Sequence, residues 1–167
     1  MAVKALSYIG VNSDKFEDWS EYSQKYLGMQ QMDRGKEILS FRMDDQKQRL
    51  TITGDKGDGL GFLGWEVESK EDLQTFANKL EENKIVVNHG KTSFADKRFV
   101  EDLIYFNDPQ GNRIELVYKP MLDTDPFKPG RPISGFKTGP LGMGPVSYTH
   151  LRAHETDSYL VCRLLLE

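Results

Sequence analysis

The stretch Leu6-Ser7-Tyr8-Ile9-Gly10-Val11 occurs a second time, in altered form, as Leu60-Gly61-Phe62-Leu63-Gly64-Trp65. Both copies are rich in β-branched, aromatic and other apolar residues, which is typical of buried β-strands. A segment with apolar residues at three- and four-residue steps follows each copy, which indicates an amphipathic helix. The repeated order predicts two β-α-β-β-β modules, at residues 1–56 and 57–120.

Each module is predicted to contain one helix. In the first module the helix covers residues 15–27, with Asn12-Ser13-Asp14 as the N-cap and Gly28 as the C′ residue, and its apolar face consists of Phe16, Trp19, Tyr22, Tyr26 and Leu27. In the second module, Ser69-Lys70-Glu71 caps a helix whose apolar stripe consists of Leu73, Phe76, Leu80 and Ile85.

Three short strands are expected after each helix. They fit residues 29–33, 38–43 and 49–53 in the first module and residues 85–88, 103–107 and 113–118 in the second. One such module leaves a face of its sheet uncovered, and pairing two modules buries the open faces. The predicted fold class is therefore α+β, as a pair of modules; two independent α+β halves are the alternative.

The composition excludes several classes of function. The chain of 167 residues has a mild net charge of −4, which gives no support for nucleic-acid binding. No membrane-spanning stretch or signal peptide is visible, so a cytoplasmic protein without a membrane partner is expected. Cys162 is the only cysteine, which excludes an internal disulfide.

Residues 121–145 are predicted to form an extended, dangling connector, because this segment is rich in proline and glycine. Its residues 127–139 (FKPGRPISGFKTG) and 141–144 (LGMG), together with the turn at 108–112 (DPQGN) and the strand at 114–118 (IELVY), resemble the type I extradiol dioxygenases of the vicinal oxygen chelate superfamily, of the 2,3-dihydroxybiphenyl 1,2-dioxygenase kind. The resemblance covers residues 1–144.

The resemblance implies an enzyme with two halves, of which only the C-terminal half binds Fe(II), through two His and one Glu. The first of these His residues directly follows the LGMG stretch, where this sequence has Pro145. We therefore expect this chain to be an inactive N-terminal, non-catalytic domain without catalytic, cofactor-binding or metal-binding residues. In the intact enzyme the resemblance implies Fe(II), a catecholic substrate and a homo-oligomer.

Residues 146–167 are predicted to be a non-native tail. Residues 146–156 (VSYTHLRAHET) and 160–167 (LVCRLLLE) match the translation of a transposase-type sequencing adapter. His150 and His154, with Glu155 beside the second, have a spacing that two metal ligands on one helix would have. Within an adapter-derived tail these residues, like Cys162, are expected to have no role.

Four further residues or groups are candidates for a site. His89 is expected at the surface, at a strand end or in a loop. Glu115 occupies the position that resembles the metal-binding Glu of catalytic modules, and Tyr8 and Phe62 occupy first-strand positions where such modules place ligands. Phenyl and neutral phenol groups do not hold iron, so Glu115 is predicted to be hydrogen-bonded or ion-paired.

The helical aromatic residues Trp19, Tyr22 and Tyr26 are expected in the core or an interface.

Two other functions remain open at this stage. Paired modules of this superfamily also bind small ligands without chemistry, so a stand-alone binding module is one alternative. A glyoxalase- or isomerase-like metalloenzyme assembled by dimerisation is the other, and the aromatic residues at both first-strand positions argue against it.

Overall fold

The computed structural model describes residues 3–34, 38–54, 57–140 and 142–143, which form one eight-stranded sheet with helices. The strands are β1 (Val3–Asn12), β2 (Gln30–Arg34), β3 (Ile38–Arg42), β4 (Leu50–Thr53), β5 (Gly59–Val67), β6 (Asn88–His89), β7 (Val100–Asn107) and β8 (Arg113–Pro120). The helices are α1 (Asp18–Glu21), α2 (Lys70–Glu82) and α3 (Thr92–Arg98). None of the described helices has the length and apolar character needed to cross a membrane.

The order of the strands in the sheet reflects the repeat in the sequence. Across the sheet it is β2-β3-β4-β1-β5-β8-β7-β6, so each half, read outward from the centre, gives the first, fourth, third and second strand of a module. The first strands β1 and β5 are antiparallel, and each is parallel to the last strand of its own module. The predicted α+β fold of two paired β-α-β-β-β modules is confirmed. The module boundaries at residues 56 and 120 stay predictions.

The two copies of the repeat lie directly against each other. Ile9 pairs with Leu63, and on either side of that pair Tyr8 faces Gly64 and Gly10 faces Phe62. The Phe62 ring covers Gly10, because a Cβ added there would lie 2.2 Å from a ring carbon. The Tyr8 ring covers Gly64 in the same way. The spacing of aromatic residue and glycine in each copy therefore reflects contact with the other copy.

The first helix differs from its prediction. α1 begins at Asp18 and not at residue 15, and a π-helical segment, Tyr22–Tyr26, follows it. In that segment the Leu27 amide donates to the Tyr22 carbonyl, a wider turn than an α-helix makes. Gly28 ends the segment with φ +81°, as predicted for a C′ residue. The Ser13 hydroxyl accepts from the Lys15 amide and so lies upstream of the helix that it was predicted to cap.

The second helix follows its prediction closely. The Ser69 hydroxyl accepts a hydrogen bond from the Asp72 amide, 3.1 Å away, at the first turn of α2. Its Leu73, Phe76 and Leu80 side chains are buried in one core with residues of β5, β7 and β8. Ile85 lies beyond the end of the helix but packs against the same core.

Helix α3 was not predicted. It lies between β6 and β7, and the predicted strand at 85–88 is replaced by the two-residue strand β6. Ala95 of α3 is buried with Tyr8, Phe62 and Val117, on the sheet face opposite α2. Side chains of β8 alternate between these faces, so Val117 and Glu115 point toward α3 whereas Leu116 points toward α2.

The prediction of a dangling connector is wrong. The buried Arg42 side chain of β3 donates from Nη2 to the Asp125 carbonyl (2.9 Å), and its Nη1 lies 3.2 Å from the Asp123 carboxylate. Further along, the Gly130 amide donates to the Gly28 carbonyl, and the Met143 amide donates to the Leu6 carbonyl. The connector therefore packs along the first module without forming regular elements.

Candidate functional site

Glu115 lies at the centre of the best-defined polar cluster on the α3 side of the sheet. Its side chain is completely buried, and it pairs across β8 and β5 with Gly64. Tyr8 Oη donates to Glu115 Oε2 at 2.7 Å, and Arg98 donates from Nε to Oε2 at 2.9 Å and from Nη2 to Oε1 at 3.3 Å. Arg113 Nε donates to Oε1 at 2.9 Å. Both carboxylate oxygens thus accept two hydrogen bonds each.

The donors come from separate parts of the chain. Tyr8 is on the central strand β1, Arg113 begins β8, and Arg98 is the last residue of α3. Phe99, which follows α3, has φ +52°, so the chain turns sharply into β7 directly after the arginine. This turn leaves Arg98 over the sheet beside Glu115.

Aromatic rings hold the two guanidinium groups. The guanidinium carbon of Arg98 lies 3.8 Å from the centroid of the Phe62 ring and 4.8 Å from that of Phe94. The guanidinium carbon of Arg113 lies 4.1 Å from the Tyr105 centroid. Cations stack favourably on such rings, most of all where water is excluded. The rings therefore contact the flat faces of the two guanidinium groups, while the N–H groups at their edges bind Glu115.

Burial and the neighbouring Glu115 keep Tyr8 protonated. Burial of the phenol and the negative charge of Glu115 raise the pKa of Tyr8 well above its usual value of 10.0, against the opposing effect of Arg98. Tyr8 is therefore a permanent hydrogen-bond donor at neutral pH.

The cluster does not fit Fe(II). Iron of the extradiol type needs imidazole and carboxylate ligands with open positions beside them. Glu115 is surrounded here by a phenol, a phenyl ring and two cations, and its oxygens are already occupied by hydrogen bonds. In the described ranges no three His, Cys, Asp or Glu residues are grouped as a metal site. The prediction that Glu115 is ion-paired is confirmed.

The other candidates lie apart from this cluster. His89 is exposed in β6 and pairs with Ile104, which confirms a surface position at the sheet edge. Trp19 packs against the core of the first module. Tyr22 and Tyr26 are 46% and 64% exposed and stack on each other, so they do not lie in the core, and an interface position stays a prediction for both. Pro145, His150, His154, Glu155 and Cys162 lie outside the described residues.

Another ion pair, which the sequence did not predict, lies in the first module. The buried Arg49 side chain donates from Nε to both carboxylate oxygens of Asp44 at 3.0 Å, and from Nη1 to the Ser7 carbonyl at 2.8 Å. Burial of the Asp44 carboxyl opposes its ionisation, but hydrogen bonds from Arg49 and its charge outweigh burial and hold the pKa of Asp44 below its ordinary value. This pair joins the approach to β4 to the central strand.

Comparison with known proteins identifies relatives along most of the chain. Residues 6–54 match the family "Dihydroxybiphenyl dioxygenase BphC D1". The chain is 34% identical over 147 residues to biphenyl-2,3-diol 1,2-dioxygenase of Sphingomonas paucimobilis, with 86% of this chain and 49% of the relative aligned. It is 32% identical over 159 residues to 1,2-dihydroxynaphthalene dioxygenase of Pseudomonas putida, covering 93% of this chain and 51% of that enzyme.

Solved structures agree with the sequence relatives. A crystal structure of catechol 2,3-dioxygenase superposes with a TM-score of 0.89 at 31% identity, covering 99% of this chain and 58% of that one. A halotolerant catechol dioxygenase superposes with a TM-score of 0.82 at 26% identity, covering 86% of this chain and 48% of that one. The chain spans about half the length of the curated relatives that it matches. It is thus a relative of the extradiol dioxygenases and has their vicinal oxygen chelate fold.

Proposed function

We propose that this chain serves as the N-terminal, non-catalytic domain of an extradiol dioxygenase that cleaves catechols of the 2,3-dihydroxybiphenyl type. The observation that carries this proposal is the state of Glu115, whose carboxylate is saturated by Tyr8, Arg98 and Arg113. A carboxylate used in this way stabilises a fold and offers nothing to a substrate. In this role the domain supports a second half that binds Fe(II) and catechol.

The similarity to dioxygenases of about twice this length supports the proposal. So does the resemblance of the connector, which follows β8 and packs back along the first module. Since the residues around Glu115 do not fit Fe(II), no step of ring cleavage is assigned to them. For the whole enzyme we also infer a homo-oligomer in the cytoplasm.

The proposal is tested by assaying the purified 167-residue chain after anaerobic loading with Fe(II). With 2,3-dihydroxybiphenyl or catechol and air, we expect neither oxygen uptake nor a ring-cleavage product above the level of free Fe(II). The Sphingomonas paucimobilis relative, loaded identically, is the positive control. Formation of one or more equivalents of ring-cleavage product per chain would contradict the proposal.

Calorimetric titration of the same preparation with these catechols separates the stand-alone binding module from a structural domain. A structural domain gives no saturable heat with either compound. Saturable binding without turnover would instead favour a small-ligand-binding protein.

A further inference from the structure

The side chain of Arg98 occupies a small site with the features of a receptor for an organic cation. Its guanidinium group lies between the Phe62 and Phe94 rings, at 3.8 and 4.8 Å from their centroids, and makes two hydrogen bonds to Glu115. We call Glu115, Phe62 and Phe94 the aromatic–carboxylate box. A carboxylate that accepts a forked pair of bonds beside aromatic faces matches the shape and charge of a guanidinium ion.

The box is largely shielded from solvent by the protein. Glu115 is fully buried, and the Arg98 side chain is only 11% exposed. Tyr8 and Arg113 hold the carboxylate from its remaining directions, at 2.7 and 2.9 Å. The position and orientation of Glu115 are therefore fixed by groups other than Arg98.

The part of the first module that the structure describes has no equivalent of this feature. In the repeat, Gly64 pairs with Glu115 and its equivalent Gly10 pairs with Thr51, which carries no charge. β2 ends at Arg34 and β3 begins at Ile38, whereas the corresponding strands β6 and β7 are separated by α3. Among the described residues, the buried carboxylate and the helix that supplies Arg98 thus occur together only in the second module.

We propose that the aromatic–carboxylate box is a guanidinium-binding site whose ligand is supplied by the chain itself. Arg98 is delivered by α3 as a built-in cation and, together with Arg113, balances the charge of Glu115. Because these contacts all lie within this chain, Arg98 has this role whether or not a catalytic half accompanies the domain.

The proposal is tested by vacating the site in the full chain with Arg98→Ala and supplying the missing ion from solution. Guanidinium or methylguanidinium chloride is added at ~10 mM. Denaturation is negligible at this concentration, because the free energy of unfolding falls linearly with denaturant and molar amounts are needed to unfold a protein. We expect a saturable rise in Tm of about 2–4 °C for Arg98→Ala. Potassium chloride at equal ionic strength should give no such rise.

Three controls make the result specific. The wild type should not respond, because its box is filled, and Lys97→Ala, which removes an exposed cation from the same helix, should behave like the wild type. The double variant R98A/E115Q should lose the response, because the amide no longer attracts a cation. If Arg98→Ala fails to fold in buffer, guanidinium should restore native tryptophan fluorescence.

Two results would overturn the proposal. One is the absence of any stabilisation or refolding of Arg98→Ala by guanidinium ions at these concentrations. The other is an equal response of R98A/E115Q, which would mean that the ions act elsewhere. Neither outcome depends on dioxygenase activity, so failure of this proposal is distinguishable from failure of the proposed scaffold role.

Discussion

Tyr8 and Gly64 face each other across the central pair of strands, and the phenol ring lies directly over the glycine. A Cβ at residue 64 would lie 2.3 Å from a carbon of that ring. The ring cannot yield freely, because its hydroxyl is bound at 2.7 Å to the buried Glu115. One glycine therefore gives room for the residue that completes the carboxylate cluster.

Gly64→Ala should lower the free energy of unfolding by about 1–3 kcal/mol, the usual result of forcing a methyl group into a packed core. Urea unfolding followed by tryptophan fluorescence measures the change. Gly139→Ala is the matched control, because nothing lies within 4 Å of a Cβ added there. Equal stability of the two variants would refute the close packing of Tyr8 on residue 64.

Tyr8→Phe should destabilise the chain by about 1.5–3 kcal/mol, since it removes a hydrogen bond to a buried charged group and keeps the ring. Tyr105→Phe keeps the ring that contacts Arg113 and should change stability by less than about 0.5 kcal/mol. Chemical denaturation at neutral pH compares the two. A loss for Tyr8→Phe no greater than for Tyr105→Phe would argue against the bond to Glu115.

The raised pKa of Tyr8 predicts that the protein loses stability at alkaline pH. Its pKa is raised in the folded state, so the folded protein holds the phenol proton more firmly than the unfolded chain does. The resulting stabilisation is fully present below pH 10.0 and is lost as the pH rises toward the folded-state pKa. The stability difference between wild type and Tyr8→Phe should therefore shrink above about pH 10. A difference that stays constant or grows would contradict this linkage.

The lowered pKa of Asp44 predicts that the protein loses stability in acid. Its pKa is lowered in the folded state, so its contribution is present above the ordinary value of 3.8 and is lost as the pH falls through the folded-state pKa. Asp44→Asn should cost about 1–3 kcal/mol at pH 7 and progressively less in acid. The exposed Asp96→Asn is the control and should not flatten the profile. Parallel acid profiles for wild type and Asp44→Asn would contradict the Arg49–Asp44 pair.

Arg42→Ala should release the connector from the first module while the sheet itself stays folded. Its guanidinium binds the Asp125 carbonyl and lies beside the Asp123 carboxylate, so its loss leaves residues 121–130 without their buried anchor. Hydrogen exchange should accelerate there and remain slow in β7. Lys128→Ala removes an exposed side chain from the same segment and should leave exchange unchanged. Unaltered protection in Arg42→Ala would show that other contacts hold the connector.

The features that could be predicted from the sequence are those that repeat or have a period. The paired copies around Ile9 and Leu63, the stripe of α2 and the Ser69 cap all follow from local spacing. Helix α3 could not be predicted in this way, because it is short and is held by packing of Ala95 on distant strands. The partner of Glu115 was missed for the same reason: Arg98 meets it only after the chain has turned through β7.

The first helix and the connector were mispredicted for different physical reasons. One wide turn at Tyr22–Tyr26 shifts the register of a helix, and no apolar period reveals such a turn in advance. The connector has no period at all, and its position depends on Arg42, a residue that resembles any other strand arginine in sequence. Buried ion pairs of this kind join parts of the chain that only the fold brings together.

The bridge between Gly142 and Leu6 fixes the connector to the central strand β1. Gly142 runs parallel to Leu6, so tight against it that an added Cβ would lie 2.1 Å from the Leu6 carbonyl oxygen, and the Met143 amide donates to that oxygen. A pull on the chain at Met143 is therefore applied to β1, the central strand, which is hydrogen-bonded along both edges to β4 and β5. We expect a force applied there to act on the middle of the sheet before it reaches a strand at the rim.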